Sequence, residues 1–176
     1  MSRPLSLIVA ASLFCTTAIA PALAATGALM GPGNAARGTV TVDAAPKGVI
    51  VKVDATGLTP GWHGIHFHEK GDCSNADFTS AGAHVHGAGV PTPAIHGLLN
   101  PAANDSGDLP NIYAAADGTA HAELFSPLVM LSGGMAGMPA LMDADGAAVV
   151  IHANPDDYKA QPIGGAGARV ACAVLK

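Results

Sequence analysis

Two histidines stand two residues apart in a short apolar segment. His66 and His68 alternate with Ile65 and Phe67, and alternate residues of a β-strand point to the same side of the sheet. The two imidazoles therefore share one face, at a spacing that suits one metal ion, while the apolar pair faces the core. His152 ends another alternating apolar run. Together these three histidines predict a metal site on strands.

A long segment without strand patterning, residues 70–118, contains His84, His86 and His96. A loop of this length inside a compact domain is usually functional, and something must hold it in place. Cys73 offers a covalent tie and a metal site offers a second one. Imidazole ligands suit copper, zinc, iron and nickel.

Composition and motifs exclude several other kinds of chemistry. Eight Lys and Arg against thirteen Asp and Glu give a net charge of −5, whereas nucleic-acid binders usually carry a basic excess. Hydrophobic residues make up 49% of the 176-residue chain, too many for a disordered protein. The sequence contains no His-Glu-X-X-His helix, no Gly-X-Ser-X-Gly elbow and no glycine-rich phosphate loop after a strand.

The first residues are typical of an export signal. Arg3 precedes an apolar run over residues 5–20, and the small residues Ala22 and Ala24 follow it. We predict cleavage after Ala24, a signal peptide over 1–24, and one mature domain over 25–176 in the periplasm or otherwise outside the cytoplasm. The alternative is an uncleaved membrane anchor, which is less favoured because the run is short.

Cleavage would remove Cys15 and leave Cys73 and Cys172. Two cysteines in an exported chain predict one disulfide, because the compartment is oxidising. In the chain-entropy model, closing a loop of about 100 residues stabilises the fold by about 4–5 kcal/mol. The alternative is two separate free thiols.

Alternating residues and glycine-rich turns predict an all-β domain, a sandwich or a barrel. The predicted strands cover residues 39–43, 49–54, 62–69, 119–125, 147–153 and 169–174. Beyond the signal, no segment has convincing helical periodicity.

Five groups of residues resemble the motifs of one family, in the family's order and over nearly all of the mature chain. They are residues 61–69, 79–84, 96–97 with 107–110, 149–152 with 156–157, and 164–172. They resemble the copper-binding strand, the bridging-histidine segment, the zinc loop, the strand with the last copper ligand, and the closing motif of copper,zinc superoxide dismutases. The set is more specific than any single motif and looks like the bacterial, exported type.

The resemblance implies a flattened Greek-key barrel of about eight antiparallel strands with long metal-binding and electrostatic loops. It implies that copper disproportionates superoxide to oxygen and hydrogen peroxide, while zinc has a structural and tuning role. The implied copper ligands are His66, His68, His84 and His152. The implied zinc ligands are His84, which bridges the two metals, His96 and Asp108.

The resemblance also gives roles to residues around the metals. Asp156 would accept hydrogen bonds from ligand imidazoles on both metal sides, and Arg169 would guide the anionic substrate. His84 would carry a proton to the product. Cys73 and Cys172 would tie the long loop to the last strand.

The sequence departs from the family pattern at one zinc ligand, where Asp105 replaces a histidine three residues before Asp108. Zinc accepts carboxylate ligands, so we expect Asp105 to bind zinc. A weakened zinc site, with copper alone in use, is the second interpretation. His86 is a less favoured alternative donor.

Two other classes of function use similar residues. A periplasmic copper store or carrier would need neither Arg169 nor a bridging His84, and a zinc-binding structural domain would not need four histidines in the copper arrangement. We expect superoxide as the substrate, no nucleic acid, no membrane after signal removal, and a second copy of the chain as a candidate partner. His63 is expected to be structural and His121 to lie at the surface. The methionines Met130, Met135, Met138 and Met142 are expected to fill the core, and a copper(I)-delivery patch is their less favoured alternative, since thioethers suit copper(I).

Overall fold

The structure is a computed structural model that describes residues 23–135 and 137–176. Apart from its last two residues, the predicted signal peptide lies outside this range, and its cleavage stays a prediction. Nine strands form in the described residues: β1 Ala24–Gly31, β2 Ala35–Ala45, β3 Gly48–Ala55, β4 Gly61–His63, β5 Ile65–His68, β6 Ile112–Ala114, β7 Ala120–Ser126, β8 Ala148–His152 and β9 Arg169–Val174. Single 3₁₀ turns form at Pro32–Asn34 and Thr79–Ala81. The predicted all-β class is confirmed.

Seven strands form one antiparallel sheet in the order β5-β8-β9-β1-β2-β3-β7, and β4 pairs with β6 in a second, small sheet. Strands β1, β2 and β3 follow one another as hairpins. Strand β9 returns from the far end of the chain to lie beside β1. This spatial order is the Greek-key arrangement. It also places β8 between β5 and β9, so residues distant in sequence meet.

Strand β3 shows why these sequences form one-sided sheets. Val49, Val51 and Val53 are at most 1% exposed, whereas Lys52 and Asp54, at alternate positions, face solvent. Burying a valine side chain contributes about 1.5–3 kcal/mol before conformational entropy is subtracted. A register slip of one residue would expose every valine, so the apolar alternation fixes the pairing of β3 with β2 and β7.

Three features differ from the predicted strands. Strand β1 was not predicted because its inward positions include glycine and alanine, which carry little hydrophobic signal. Strand β6 lies inside residues 70–118, so the prediction of no strand there was wrong for three residues. The predicted strand 62–69 breaks at Gly64, whose N–H donates to the Asn154 carbonyl oxygen over 2.8 Å instead of continuing the strand.

The long loop between β5 and β6 is held by the predicted disulfide. Cys73 is bonded to Cys172 of β9, with Cα atoms 5.9 Å apart. Phe78 and Ala81 of the loop pack with Val150 on this bridge. The loop therefore lies against the sheet. Within the described residues, no helix is both long and apolar enough to cross a bilayer.

Candidate metal centre

Strand β5 turns two imidazoles away from the main core. Ile65 and Phe67 are fully buried in that core, and His66 and His68 point to the opposite face. The histidines are not solvent-exposed, being at most 1% exposed, because the loops cover this face. The predicted sharing of one face is therefore correct, and its environment is a buried pocket.

Two further histidines approach this pair from other parts of the chain. His152 ends β8, which pairs with β5, and His84 forms an isolated β-bridge with His68. The ring centroid of His66 lies 4.2 Å from that of His84 and 4.9 Å from that of His152. One ligand atom from each of the four histidines lies within 4.8 Å of the others. The long loop and the Greek-key crossover thus bring four buried imidazoles together.

Hydrogen bonds fix which nitrogen of each ring is free. His68 and His152 donate their Nδ1–H groups to the carbonyl oxygens of Gly82 and Gly167, each over 3.0 Å. His66 donates Nε2–H to Asp156 Oδ2, also over 3.0 Å. The remaining ring nitrogens therefore carry lone pairs, since a neutral imidazole has one donor and one acceptor.

The free nitrogens of these three rings, and Nε2 of His84, are buried and have no hydrogen-bond partner among the residues that the structure describes. They are His66 Nδ1, His68 Nε2, His84 Nε2 and His152 Nε2. A buried acceptor without a partner costs about 1–3 kcal/mol, so four of them in one pocket need a further explanation. A metal ion bound by imidazole nitrogens fits this donor set.

A second cluster lies on the other side of the His84 ring. His84 Nδ1 is 2.8 Å from Asp105 Oδ2 and 3.6 Å from Asp108 Oδ1. His96 Nδ1 is 3.8 Å and 2.5 Å from the same two oxygens. Four ligands around tetrahedral zinc, with bonds near 2.0–2.1 Å, are separated by about 3.3 Å, so the spacing fits zinc. Ligand atoms of His66, His84, His96 and Asp108 also lie within 4.8 Å of one another, a grouping in which His66 takes the place of Asp105.

Asp156 joins the two clusters. Its carboxylate accepts hydrogen bonds from Nε2 of His66 and from Nε2 of His96, each over 3.0 Å. It also accepts the backbone N–H of Tyr158 over 2.6 Å. Gly164 packs so close that a Cβ there would overlap the carboxylate. Asp156 therefore lies between the two sets of imidazoles and bonds one ring of each.

Three residues that support Asp156 and His96 were missed by the sequence analysis. Asn111 clamps the backbone of Asp156, donating Nδ2–H to its carbonyl oxygen and accepting its N–H, each over 2.9 Å. Tyr158 accepts the backbone N–H of Asn111 through its hydroxyl. Gln161 bonds both backbone polar groups of His96. The sequence feature that could have pointed to Asn111 is its position directly after the 107–110 motif.

The two clusters differ in charge because their surroundings differ. Burial lowers the pKa of His66 to about 4 and that of His152 to about 3, and it lowers the pKa of His68 as well. Burial also acts to lower the pKa of His96, but hydrogen bonds to Asp105, Asp108 and Asp156 outweigh it and raise the pKa to about 11. The pKa of His84 is raised for the same reason.

These directions predict that zinc uptake is far more sensitive to pH than copper uptake. In the metal-free fold, the raised pKa of about 11 keeps His96 protonated between pH 8 and 6, so zinc must displace its proton, and the zinc affinity should fall about tenfold per pH unit over that range. His66 and His152 are already neutral over that range. Calorimetry in two buffers of different ionisation enthalpy counts the released protons. Zinc binding without proton release would contradict this assignment.

A cleft of about 170 Å³ reaches the His84 side of the first cluster, and Arg169 forms part of its wall. The Arg169 guanidinium donates to the carbonyl oxygens of Phe78 and Gly82, over 2.6 and 2.7 Å. The Arg169 side chain is partly exposed. Its partial burial lowers its pKa, but the usual pKa of arginine is so high that the guanidinium stays protonated at neutral pH. The disulfide-anchored loop therefore holds a positive charge at the opening of the pocket.

The other histidines lie outside both clusters. His63 is buried, with Nδ1 2.6 Å from the His152 carbonyl oxygen and Nε2 2.7 Å from the Thr59 carbonyl oxygen, as expected of a structural residue. His121 is exposed and pairs with Asp54. His86 donates Nδ1–H to the His84 carbonyl oxygen over 2.9 Å, and its Nε2 meets the Thr92 hydroxyl at 3.0 Å. Neither nitrogen of His86 points into the zinc-sized cluster.

Comparisons with known proteins all indicate the same family. Residues 36–175 match the family model described as copper/zinc superoxide dismutase. A protein of Caulobacter vibrioides named superoxide dismutase [Cu-Zn] is 68% identical over 79% of this chain and 78% of its own length. A protein of the same name from Legionella pneumophila is 35% identical over 100% of both chains.

Solved structures agree with these sequence matches. A double mutant of a SOD-like protein from Bacillus subtilis has a TM-score of 0.76 and 35% identity, covering 86% of this chain and 97% of that one. The Cu/Zn superoxide dismutase from Brucella abortus has a TM-score of 0.67 and 29% identity, covering 87% and 99%.

Proposed function

The chain belongs to the copper/zinc superoxide dismutase family, and we propose that His66, His68, His84 and His152 are the ligands of its copper. The observation that carries this assignment is the set of four buried ring nitrogens, one from each histidine, that have no hydrogen-bond partner in the described part of the chain. Burial lowers the pKa of His66, His68 and His152, which keeps lone pairs on these three rings directed into the pocket. Imidazole is a ligand type that suits copper.

The activity is the disproportionation of superoxide to oxygen and hydrogen peroxide, with copper and zinc as cofactors. Copper, when bound, supplies a one-electron centre that can accept an electron from one superoxide and donate an electron to another. Zinc has no redox chemistry in proteins and has a structural role. The copper store or carrier considered from sequence is not favoured, because the relatives carry the name of the enzyme.

Two residues of the chain are proposed to act on the substrate. The Arg169 guanidinium attracts the superoxide anion into the cleft, since a local positive charge focuses an anion even on a protein of net negative charge. His84 lines the same cleft, and its Nε2 bonds no other atom of residues 23–135 and 137–176. We assign to this atom the proton that the peroxide product receives.

Replacing Arg169 with alanine should lower the rate about tenfold or more while copper stays bound, because steering changes encounter rates by 10–10³-fold. The rate of the variant should also depend less on ionic strength than that of the wild type. Pulse measurements of superoxide decay at several salt concentrations test this. Arg37→Ala is the matched control. Arg37 also donates to a backbone carbonyl oxygen, that of Gly57, and its replacement removes the same positive charge. An Arg169→Ala variant with the full rate and unchanged salt dependence would contradict the steering role.

For zinc, we propose His84, His96, Asp105 and Asp108. Asp105 is favoured over His66 as the fourth ligand because its carboxylate oxygen is 2.8 Å from His84 Nδ1, whereas His66 uses Nε2 for Asp156 and directs Nδ1 to the copper set. Asp105 Oδ1 accepts the backbone N–H of Gly107 over 2.8 Å, which orients Oδ2. Two histidines and two carboxylates form an acceptable tetrahedral zinc site.

Metal counting on purified variants tests the proposed ligand sets. The wild type should hold about one zinc and about one copper per chain. Asp105→Ala should lose most of its zinc and keep copper, whereas Asp105→His should keep both. Asp143→Ala, an exposed aspartate, is the control. Full zinc in Asp105→Ala would overturn the assignment of Asp105 and favour a different fourth ligand.

We also propose export through the 1–24 signal, supported by the signal pattern and by the Cys73–Cys172 disulfide, which is typical of oxidising compartments. The negative net charge supports the absence of a nucleic-acid partner.

A homodimer is part of the same proposal, supported by the exposed rings of Trp62 and Tyr113, which stack edge to face at 5.1 Å on the β4–β6 sheet. Sedimentation of the purified chain measures its oligomeric state.

A further inference from the structure

Four of the six methionines of the chain lie close together in sequence, between β7 and β8: Met130, Met135, Met138 and Met142. Because methionine is a common core residue, their sequence predicts that they fill the core. Met142 does pack against the core, but Met135 is 60% exposed and Met138 is only partly buried. Core packing therefore does not explain Met135 and Met138.

The backbone places Met135 and Met138 side by side. The Met135 N–H donates to the Met138 carbonyl oxygen over 2.9 Å, and the Met138 N–H donates back over 2.8 Å. Residues that exchange both hydrogen bonds lie directly opposite each other in an antiparallel ladder, and their side chains project from the same face, about 5 Å apart at Cβ. The two thioethers thus share one side of a tight hairpin.

A third donor lies in the cleft that these thioethers line. This cleft has a volume of about 820 Å³, and Met135, Met138, His86 and Asp105 form part of its wall. His86 donates from Nδ1 to a carbonyl oxygen, so its Nε2 carries a lone pair. That lone pair accepts from the Thr92 hydroxyl, a rotatable donor that can turn to another acceptor.

We propose that Met135, Met138 and His86 Nε2 bind one copper(I) ion in this cleft. Thioethers are soft ligands that select copper(I), and imidazole accepts the same metal. Divalent zinc would instead prefer the oxygen donors of the cleft. Asp105 lines this cleft and is also hydrogen-bonded to His84. The copper(I) site therefore lies next to the proposed catalytic metal sites and can supply copper to the copper site. The binding itself is independent of the proposed catalytic ligands, whereas the supply role rests on them.

The test uses the copper- and zinc-loaded enzyme, titrated without oxygen with copper(I) held by a coloured copper(I) chelator. The wild type should take up about one further copper(I) per chain. Met135→Leu with Met138→Leu should bind it at least tenfold more weakly, and Met135→Leu alone should show part of that loss. Met130→Leu with Met142→Leu, in the same loop, should bind like the wild type. Once loaded, the Met135→Leu, Met138→Leu enzyme should consume superoxide at the wild-type rate.

Refilling tests the supply role separately. The metal-free Met135→Leu, Met138→Leu variant, given zinc and then chelated copper(I), should regain activity several-fold more slowly than the wild type and reach the same final level. Equal uptake of copper(I) by the variant and the wild type would overturn the site, as would uptake of zinc(II) in place of copper(I). Equal refilling rates with weakened uptake would overturn the supply role alone.

Discussion

Replacing His68 with alanine is expected to reduce superoxide consumption by more than about 100-fold, beyond the 10–100-fold loss typical of residues that only orient a metal ligand. His68 offers its free Nε2 to the first cluster and takes no part in the second. The variant should therefore lose copper and keep zinc. Metal analysis and superoxide decay on the same sample measure both effects.

His121→Ala is the matched control, because this exposed histidine lies far from both clusters and its loss should leave metal content and rate unchanged. If the alanine variant folds poorly, His68→Gln retains most of the side-chain volume without an imidazole. A His68 variant that folds, keeps copper and turns over superoxide at the full rate would contradict the ligand assignment.

Removing the disulfide should have the largest effect on stability. Changing Cys73 and Cys172 together to serine should lower the free energy of unfolding by about 4–5 kcal/mol, because the bridge spans 99 positions of sequence and restricts the unfolded chain. Urea titrations of both proteins give the difference.

The same change should also lower activity, because Phe78 and Gly82, whose carbonyl oxygens hold Arg169, belong to the loop that the bridge anchors. The wild type treated with a reductant is the control and should match the double variant. A change in unfolding free energy below about 1 kcal/mol would show that packing alone holds this loop.

The strand histidines were predictable from sequence because a strand has a period of two. That period places His66 and His68 on one face and leaves Ile65 and Phe67 for the core, and it applies equally to His152. The convergence of these residues with His84 depends on the β5–β8 pairing and on the long loop, which local patterning does not specify. The family motifs supplied that information.

Other parts of the site depend on tertiary contacts that no local pattern records. Asn111 acts through two bonds to the backbone of Asp156, and an asparagine in a loop carries no periodic signal. The methionine hairpin was predicted to be buried, because methionine is a common core residue. Its exposure follows from a tight turn at the surface.

The most direct test of the account is the position of copper in a crystal of the metal-loaded protein, located by anomalous X-ray scattering on either side of the copper absorption edge. We predict one strong copper peak at about 2.0–2.1 Å from His66 Nδ1 and from Nε2 of His68 and His152, with His84 Nε2 directed at it. Metal-loaded crystals with no copper at the point where these four rings converge would contradict the central claim.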